Sequence, residues 1–172
     1  VMALYAIAES EGLAIDVAGA GELLLALEAG VNPAIIHLHG NAKSDEELKL
    51  AVEAGIGTIV IDGEADIERL DALLTAPQEV LLRVIPDVDP RTHRSVSTGG
   101  AKSKFGLPIP QAQALIERLR SHPFIRVAGL HLHIGSQLGA VDAWRSAFRV
   151  GLRLLELQRA TLADFDTLDA GG

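Results

Sequence analysis

The segment Ala26-Leu27-Glu28-Ala29-Gly30-Val31 returns as Ala51-Val52-Glu53-Ala54-Gly55-Ile56, twenty-five positions further on. Each copy reads as the end of a helix, a glycine that closes it and the entry to a strand. A repeat of helix, cap and strand at this spacing points to a parallel sheet, because parallel neighbours need a crossover long enough to hold a helix. The same rhythm runs in both directions. The sequence predicts helices over 1–11, 21–29, 44–54, 65–74, 110–121 and 141–159. It predicts strands over 13–18, 35–39, 58–61, 80–85, 125–134 and 165–169. Gly12, Gly30 and Gly55 stand where helices close. Ser44-Asp45-Glu46-Glu47 reads as a capping box, with Ser44 over the helix N-terminus and Glu47 reaching back. Residues 91–110 break the rhythm with a long polar stretch rich in Gly, Ser and Pro, a kind of loop that is usually functional or disordered.

Right-handed crossovers turn such a chain into a barrel or a doubly wound sheet. A complete eight-stranded barrel needs about 250 residues, and this chain has 172. It opens on a helix and ends on a strand. The expected fold class is therefore α/β, a partial (β/α)8 TIM barrel of about six parallel strands that lacks the first and last. Residues 1–172 would form one incomplete domain. The alternative, a six-stranded Rossmann-like sheet, is weakened because no G-x-G-x-x-G follows the first strand.

Composition narrows the function. Aromatic residues are only 3% of the chain, and the apolar residues are mostly Ala, Leu, Ile and Val, as suits helices packed on a parallel sheet. A net charge of -8 argues against a nucleic-acid or anionic-membrane partner. There is no cysteine, hence no disulfide framework, thiolate metal site or cysteine nucleophile, which suits the cytoplasm. No apolar run is long enough to span a bilayer, and no secretory signal opens the chain.

Active sites of barrels lie at the C-terminal ends of the strands. The residues predicted there are Asp16, His39 with Asn41, Asp62, Arg83, His131 with His133 and Ser136, and Asp169 with Gly171 and Gly172. In Gly129-Leu130-His131-Leu132-His133-Ile134-Gly135-Ser136-Gln137, strand alternation points both histidines one way and the aliphatic residues the other. The pair reads either as core histidines or as a site that opens into the following turn. Arg83 lies inside an apolar strand, where an unpaired cation is costly, so an anionic partner is expected. Gly171-Gly172 would let a phosphate approach backbone N–H groups, with Ser136 adding a hydroxyl; a simple turn is the plainer reading. A zinc site is the rival for His131 and His133, with His39 or Asp16 as third ligand. Residues 99–104 match a phosphate loop only loosely.

Several segments, in order, resemble the barrel domain of fold-type III pyridoxal-phosphate decarboxylases, an alanine racemase-like barrel. They are Asp16-Val17-Ala18-Gly19-Ala20-Gly21-Glu22, His39-Gly40-Asn41-Ala42-Lys43-Ser44, Arg83-Val84-Ile85-Pro86-Asp87-Val88, Thr92-His93, Ser97-Thr98-Gly99, Lys104-Phe105-Gly106, residues 129–137, and Leu168-Asp169-Ala170-Gly171-Gly172. Within the family they are similar to the branch that converts meso-2,6-diaminopimelate to L-lysine. Sibling decarboxylases of arginine, ornithine or carboxynorspermidine, and non-catalytic pyridoxal-phosphate carriers, are the alternatives.

The resemblance implies the cofactor pyridoxal 5'-phosphate and no metal. It implies that His133 stacks on the cofactor ring, and that Ser136 and the Gly171-Gly172 backbone hold its phosphate. Asp16, Glu22 and Arg83 would join the network around the cofactor, and His131 would support His133. Lys104-Phe105-Gly106 would pack near the rim. The partners implied are a small amino-acid substrate and a second copy of the intact enzyme, with neither nucleic acid nor membrane. The family's cofactor-linking lysine, its Glu-Pro-Gly-Arg segment and its C-terminal β-domain have no counterpart among these residues, so the chain alone is expected to be inactive. Gly19 stands where the family more often has Ser.

Overall fold

The structure, a computed structural model, describes residues 1–86, 105–135 and 141–171. They fall into two compact units, Val1–Val80 with Pro123–Arg126, and Leu81–His122 with Val127–Gly172.

The first unit opens on α1 (Met2–Ser10), followed by β1 (Ile15–Val17) and α2 (Ala20–Glu28). A 3-10 turn (Pro33–Ile35) leads into β2 (Ile36–Leu38), α3 (Asp45–Ala54), β3 (Thr58–Ile61) and α4 (Glu64–Asp71). β1, β2 and β3 pair in sequence order, all parallel, with Asp16 opposite His37 and His37 opposite Thr58. Ile15, Val17, Ile36 and Leu38 are buried on one sheet face, together with Leu23 and Ala26 of α2 and Leu48 and Ala51 of α3. Removing these apolar surfaces from water is the main stabilising term. All four residues of β3 are buried, as a strand covered on both faces requires.

The repeat does what its sequence implies. Gly30 and Gly55 take left-handed backbone, and Val31 and Ile56 enter the core behind them. The capping box is complete. Ser44 Oγ accepts the Glu47 N–H, and Glu47 Oε2 accepts the Ser44 N–H at 2.8 Å.

β4 (Gln78–Ile85) and β6 (Ile125–Leu132) contribute their last residues to the second unit. The rest of that unit is β5 (Leu107–Pro108), α5 (Ile109–Leu119), α6 (Val141–Arg159) and β7 (Thr167–Asp169). β5 lies parallel to β4, and β7 parallel to β6 with His131 opposite Asp169. A side chain at Gly129 would meet the Thr167 carbonyl, and one at Gly151 of α6 would strike Leu132 and Leu168. Glycine is what lets these backbones approach.

The six expected strands are present. The two-residue β5 is additional; it was too short to register as a hydrophobic pattern. Strand 13–18 is shorter than expected because the Leu13 N–H is spent on the Ala8 carbonyl at the end of α1. Strand 35–39 starts late because Asn32 caps the turn before it. Strand 165–169 also starts late, since the Phe165 N–H closes a turn on Leu162. No described helix is long and apolar enough to cross a membrane.

Candidate functional site

Two groups of polar residues gather at strand ends, one in each unit. In the first unit the register of β1 and β2 sets Asp16 beside His37, and alternation along β2 puts His39 on the same face. Asp16 Oδ1 lies 3.1 Å from His39 Nε2 and 3.6 Å from His37 Nδ1. The Asp16 side chain is 60% exposed, whereas both imidazoles are largely covered. The His39 N–H continues the ladder to the Val17 carbonyl at 2.7 Å. His37 is not among the residues predicted at the strand ends, although its position two residues before His39 on one strand is the available signal.

The turns that follow are held by charges. Glu22 Oε2 accepts the Ala18 N–H at 2.7 Å, from the first turn of α2. Glu47 reaches further. Its Oε1 accepts the Ala20 N–H at 3.2 Å, so one carboxylate serves the N-termini of both α2 and α3. Those N–H groups, that of Ser44 first, hold the Glu47 carboxyl below its usual value of 4.5. Asp62 is half-buried, and its N–H is taken by Asp66 Oδ2 at 3.0 Å.

In the second unit His131 and His133 stack with ring planes 4° apart and centroids 6.4 Å apart. Leu130, Leu132 and Ile134 are buried. The alternation read from the sequence therefore holds. His131 is 4% exposed and His133 only partly covered, so the second ring is the more accessible of the two. Gly171 packs on this pair. A Cβ there would sit 2.6 Å from the Leu132 carbonyl oxygen, 3.0 Å from His133 Nδ1 and 3.3 Å from His131 Nε2. Gly171 also has φ +66°, a left-handed conformation that favours glycine. Its N–H is drawn onto Asp169 Oδ1 at 2.7 Å, which fixes the turn.

Arg83 carries its guanidinium 5.5 Å from the centre of the Phe105 ring, an attractive cation–π geometry. Gly106 lies against the Arg83 backbone and Cγ, so the Phe105-Gly106 pair does pack on a predicted site residue. The contact seen for that arginine is thus an aromatic face. Ser136, Gly172 and residues 87–104, which include Lys104 and most of the polar stretch over 91–110, lie outside the described residues.

Residues 2–172 match the family model "Pyridoxal-dependent decarboxylase, pyridoxal binding domain". The chain is 42% identical to a diaminopimelate decarboxylase of Actinosynnema pretiosum over 171 residues, covering 98% of this chain and 38% of that protein. It is 41% identical to the Mycobacterium bovis diaminopimelate decarboxylase, covering 94% and 38%. The chain thus spans well under half the length of these relatives. The crystal structure of the M. jannaschii diaminopimelate decarboxylase in co-complex with L-lysine aligns at TM-score 0.81 and 30% identity, covering 92% of this chain and 38% of that one. The Helicobacter pylori enzyme complexed with L-lysine aligns at 0.83 with 23% identity over 92% of this chain and 41% of that one, and bears on the fold alone. These likenesses bear out the expected fold class, an α/β chain with some of the parallel strands of a (β/α)8 barrel.

Proposed function

This chain belongs to the pyridoxal-dependent decarboxylases, and from that premise we propose that the intact enzyme converts meso-2,6-diaminopimelate to L-lysine and CO2 with pyridoxal 5'-phosphate. The observation that carries the reading is the Gly171 cradle. A partly open imidazole stands beside a glycine turn with no room for a side chain. That pairing fits a flat ring that bears a phosphate: the imidazole offers a stacking face, and the turn allows close backbone approach. Relatives at 42% and 41% identity carry the substrate assignment.

His133 would face the cofactor ring, with His131 behind it setting its plane. Ser136, Gly171 and Gly172 would hold the phosphate. Bound pyridoxal phosphate would supply the electron sink that lets an amino acid lose its carboxylate. Asp16, oriented by His37 and His39, would supply negative charge to the network around the cofactor. Glu22 would fix the turn after Asp16 through its bond to the Ala18 N–H. Arg83, held by Phe105, would balance the carboxylates around the ligand. The intact enzyme would act in the cytoplasm as a homodimer.

The test is to purify the full-length protein with pyridoxal phosphate and follow CO2 and lysine release from meso-diaminopimelate. Arginine, ornithine and carboxynorspermidine serve as comparison substrates. Lysine formation is the expected result. Turnover of a comparison substrate alone would move the protein to a sibling activity. Bound cofactor with no turnover of any would leave a binding barrel.

A further inference from the structure

Lys43 is 3% exposed, and it sits in the turn between β2 and α3 rather than in a surface helix. Its Nζ donates to the Gly40 carbonyl at 2.6 Å and lies 3.5 Å from Asp66 Oδ2. Asp66, 5% exposed in the first turn of α4, also accepts from the Asp62 N–H at 3.0 Å and from Arg69 Nη2 at 2.5 Å. Arg69 Nη1 returns to the Lys43 carbonyl and lies 3.3 Å from Asp45 Oδ1. The turn after β2 and the turn after β3 are thus joined through two buried charges.

Burial pulls the Lys43 ammonium below its ordinary pKa of 10.5, and Asp66 opposes that shift. Such a pair is a poor device for stability alone. Desolvating both ions offsets most of their attraction, and an apolar pair of similar volume often serves as well. What the pair does provide is direction. The Gly40 carbonyl has to point at Nζ, and Gly40 takes φ +93° to allow it. At that angle Gly40 lies on the Ala18 carbonyl, to which a Cβ would approach within 3.0 Å. The preceding residue is His39, whose Nε2 faces Asp16.

We propose that Lys43 is a positioning residue: its bonds to the Gly40 carbonyl and Asp66 hold the turn after β2 so that His39 meets Asp16. The proposal rests on the decarboxylase reading for its consequence in catalysis, not for its geometry. Lys43 touches no reacting atom; it acts through His39 and Gly40.

The experiment uses the full-length enzyme with Lys43→Met, which keeps the stem and removes the charge. Cofactor affinity is expected to fall about tenfold or more, the size usual when a group supporting a site's ligands is lost. At saturating cofactor, kcat falls while KM stays close to wild type, and the visible spectrum of the bound cofactor shifts. The His39 ring resonance in the cofactor-free protein also moves. Asp66→Asn, which keeps shape and removes charge, gives the same pattern, and the double variant loses less than the product of the two. A Lys43→Met protein that melts earlier yet keeps wild-type cofactor affinity, spectrum and His39 resonance overturns the proposal. If Lys43→Met does not fold, the same wild-type readings in Asp66→Asn overturn it. Wild-type enzyme that fails on diaminopimelate refutes the functional reading instead, and the His39 resonance still decides this one.

Discussion

The two units hold their polar residues by different means. In the first, charges tie one strand end to the next: Glu47 serves α2 and α3, and Lys43 links the turn after β2 to Asp66. In the second, Asp169 also holds the Gly171 N–H, but close packing dominates. His131 stacks on His133, Gly171 fills the space beside both, and Phe105 lies along Arg83. The difference sets how each can fail. A charged tie weakens by degrees, with protonation or with removal of one partner. A close-packed glycine has no intermediate state, since an added methyl either fits or displaces backbone.

Gly171→Ala therefore has the largest expected effect. The left-handed conformation alone costs an L-residue about 1–2 kcal/mol, and the new methyl would also strike the Leu132 carbonyl and His133 Nδ1. The full-length variant is expected to lose at least about 2 kcal/mol in urea unfolding and at least about tenfold in cofactor affinity. Wild-type cofactor affinity with this substitution would break the comparison, because the second unit would then yield as readily as the first.

Glu47→Gln tests the charged side. Its carboxyl titrates below the ordinary 4.5 in the folded chain, held there by the N–H groups of Ser44 and Ala20 against some desolvation. A depressed carboxyl stabilises fully above its unfolded value and loses that stabilisation as pH falls through the folded one. The variant is thus expected to be less stable than wild type by about 1 kcal/mol at neutral pH. The gap closes as pH drops below 4.5. Urea midpoints across that range check it, and a gap constant with pH would mean the carboxylate acts by shape rather than charge.

The same contrast decides what was legible in the sequence. Local features were. β3 and α6 run as expected, the Ser44 capping box forms, and the left-handed glycines stand where helices close. The His131–His133 face followed from alternation alone. Features that join distant segments were not. No local pattern marks Lys43 as buried; α4 brings Asp66 to it from 23 residues away. Gly171 reads as a phosphate-approach glycine or a simple turn, and its packing against the histidines appears only when β7 pairs with β6. Glu22, which the resemblance puts in the network around the cofactor, has a local bond to the Ala18 N–H that follows from its place in the first turn of α2.

Gly19→Ser has the smallest expected effect and sharpens the comparison most. Gly19 is the N-cap of α2, and at φ 179° its backbone is extended, so any residue fits there. The added Cβ would come 3.0 Å from Glu47 Oε1, the far end of a flexible side chain that can swing aside. The hydroxyl would accept a free N–H in the first turn of α2 and could donate to the same carboxylate. Serine gains only a few tenths of a kcal/mol over glycine as an N-cap, and a slight lengthening of the Ala20 bond takes some of it back. The full-length variant should be more stable by about 0.3 kcal/mol at neutral pH, with cofactor affinity unchanged. A loss of more than about 0.5 kcal/mol would mean that Glu47 cannot yield. The first unit would then be held by fit as tightly as the second, and charge would be only the means by which that fit is made.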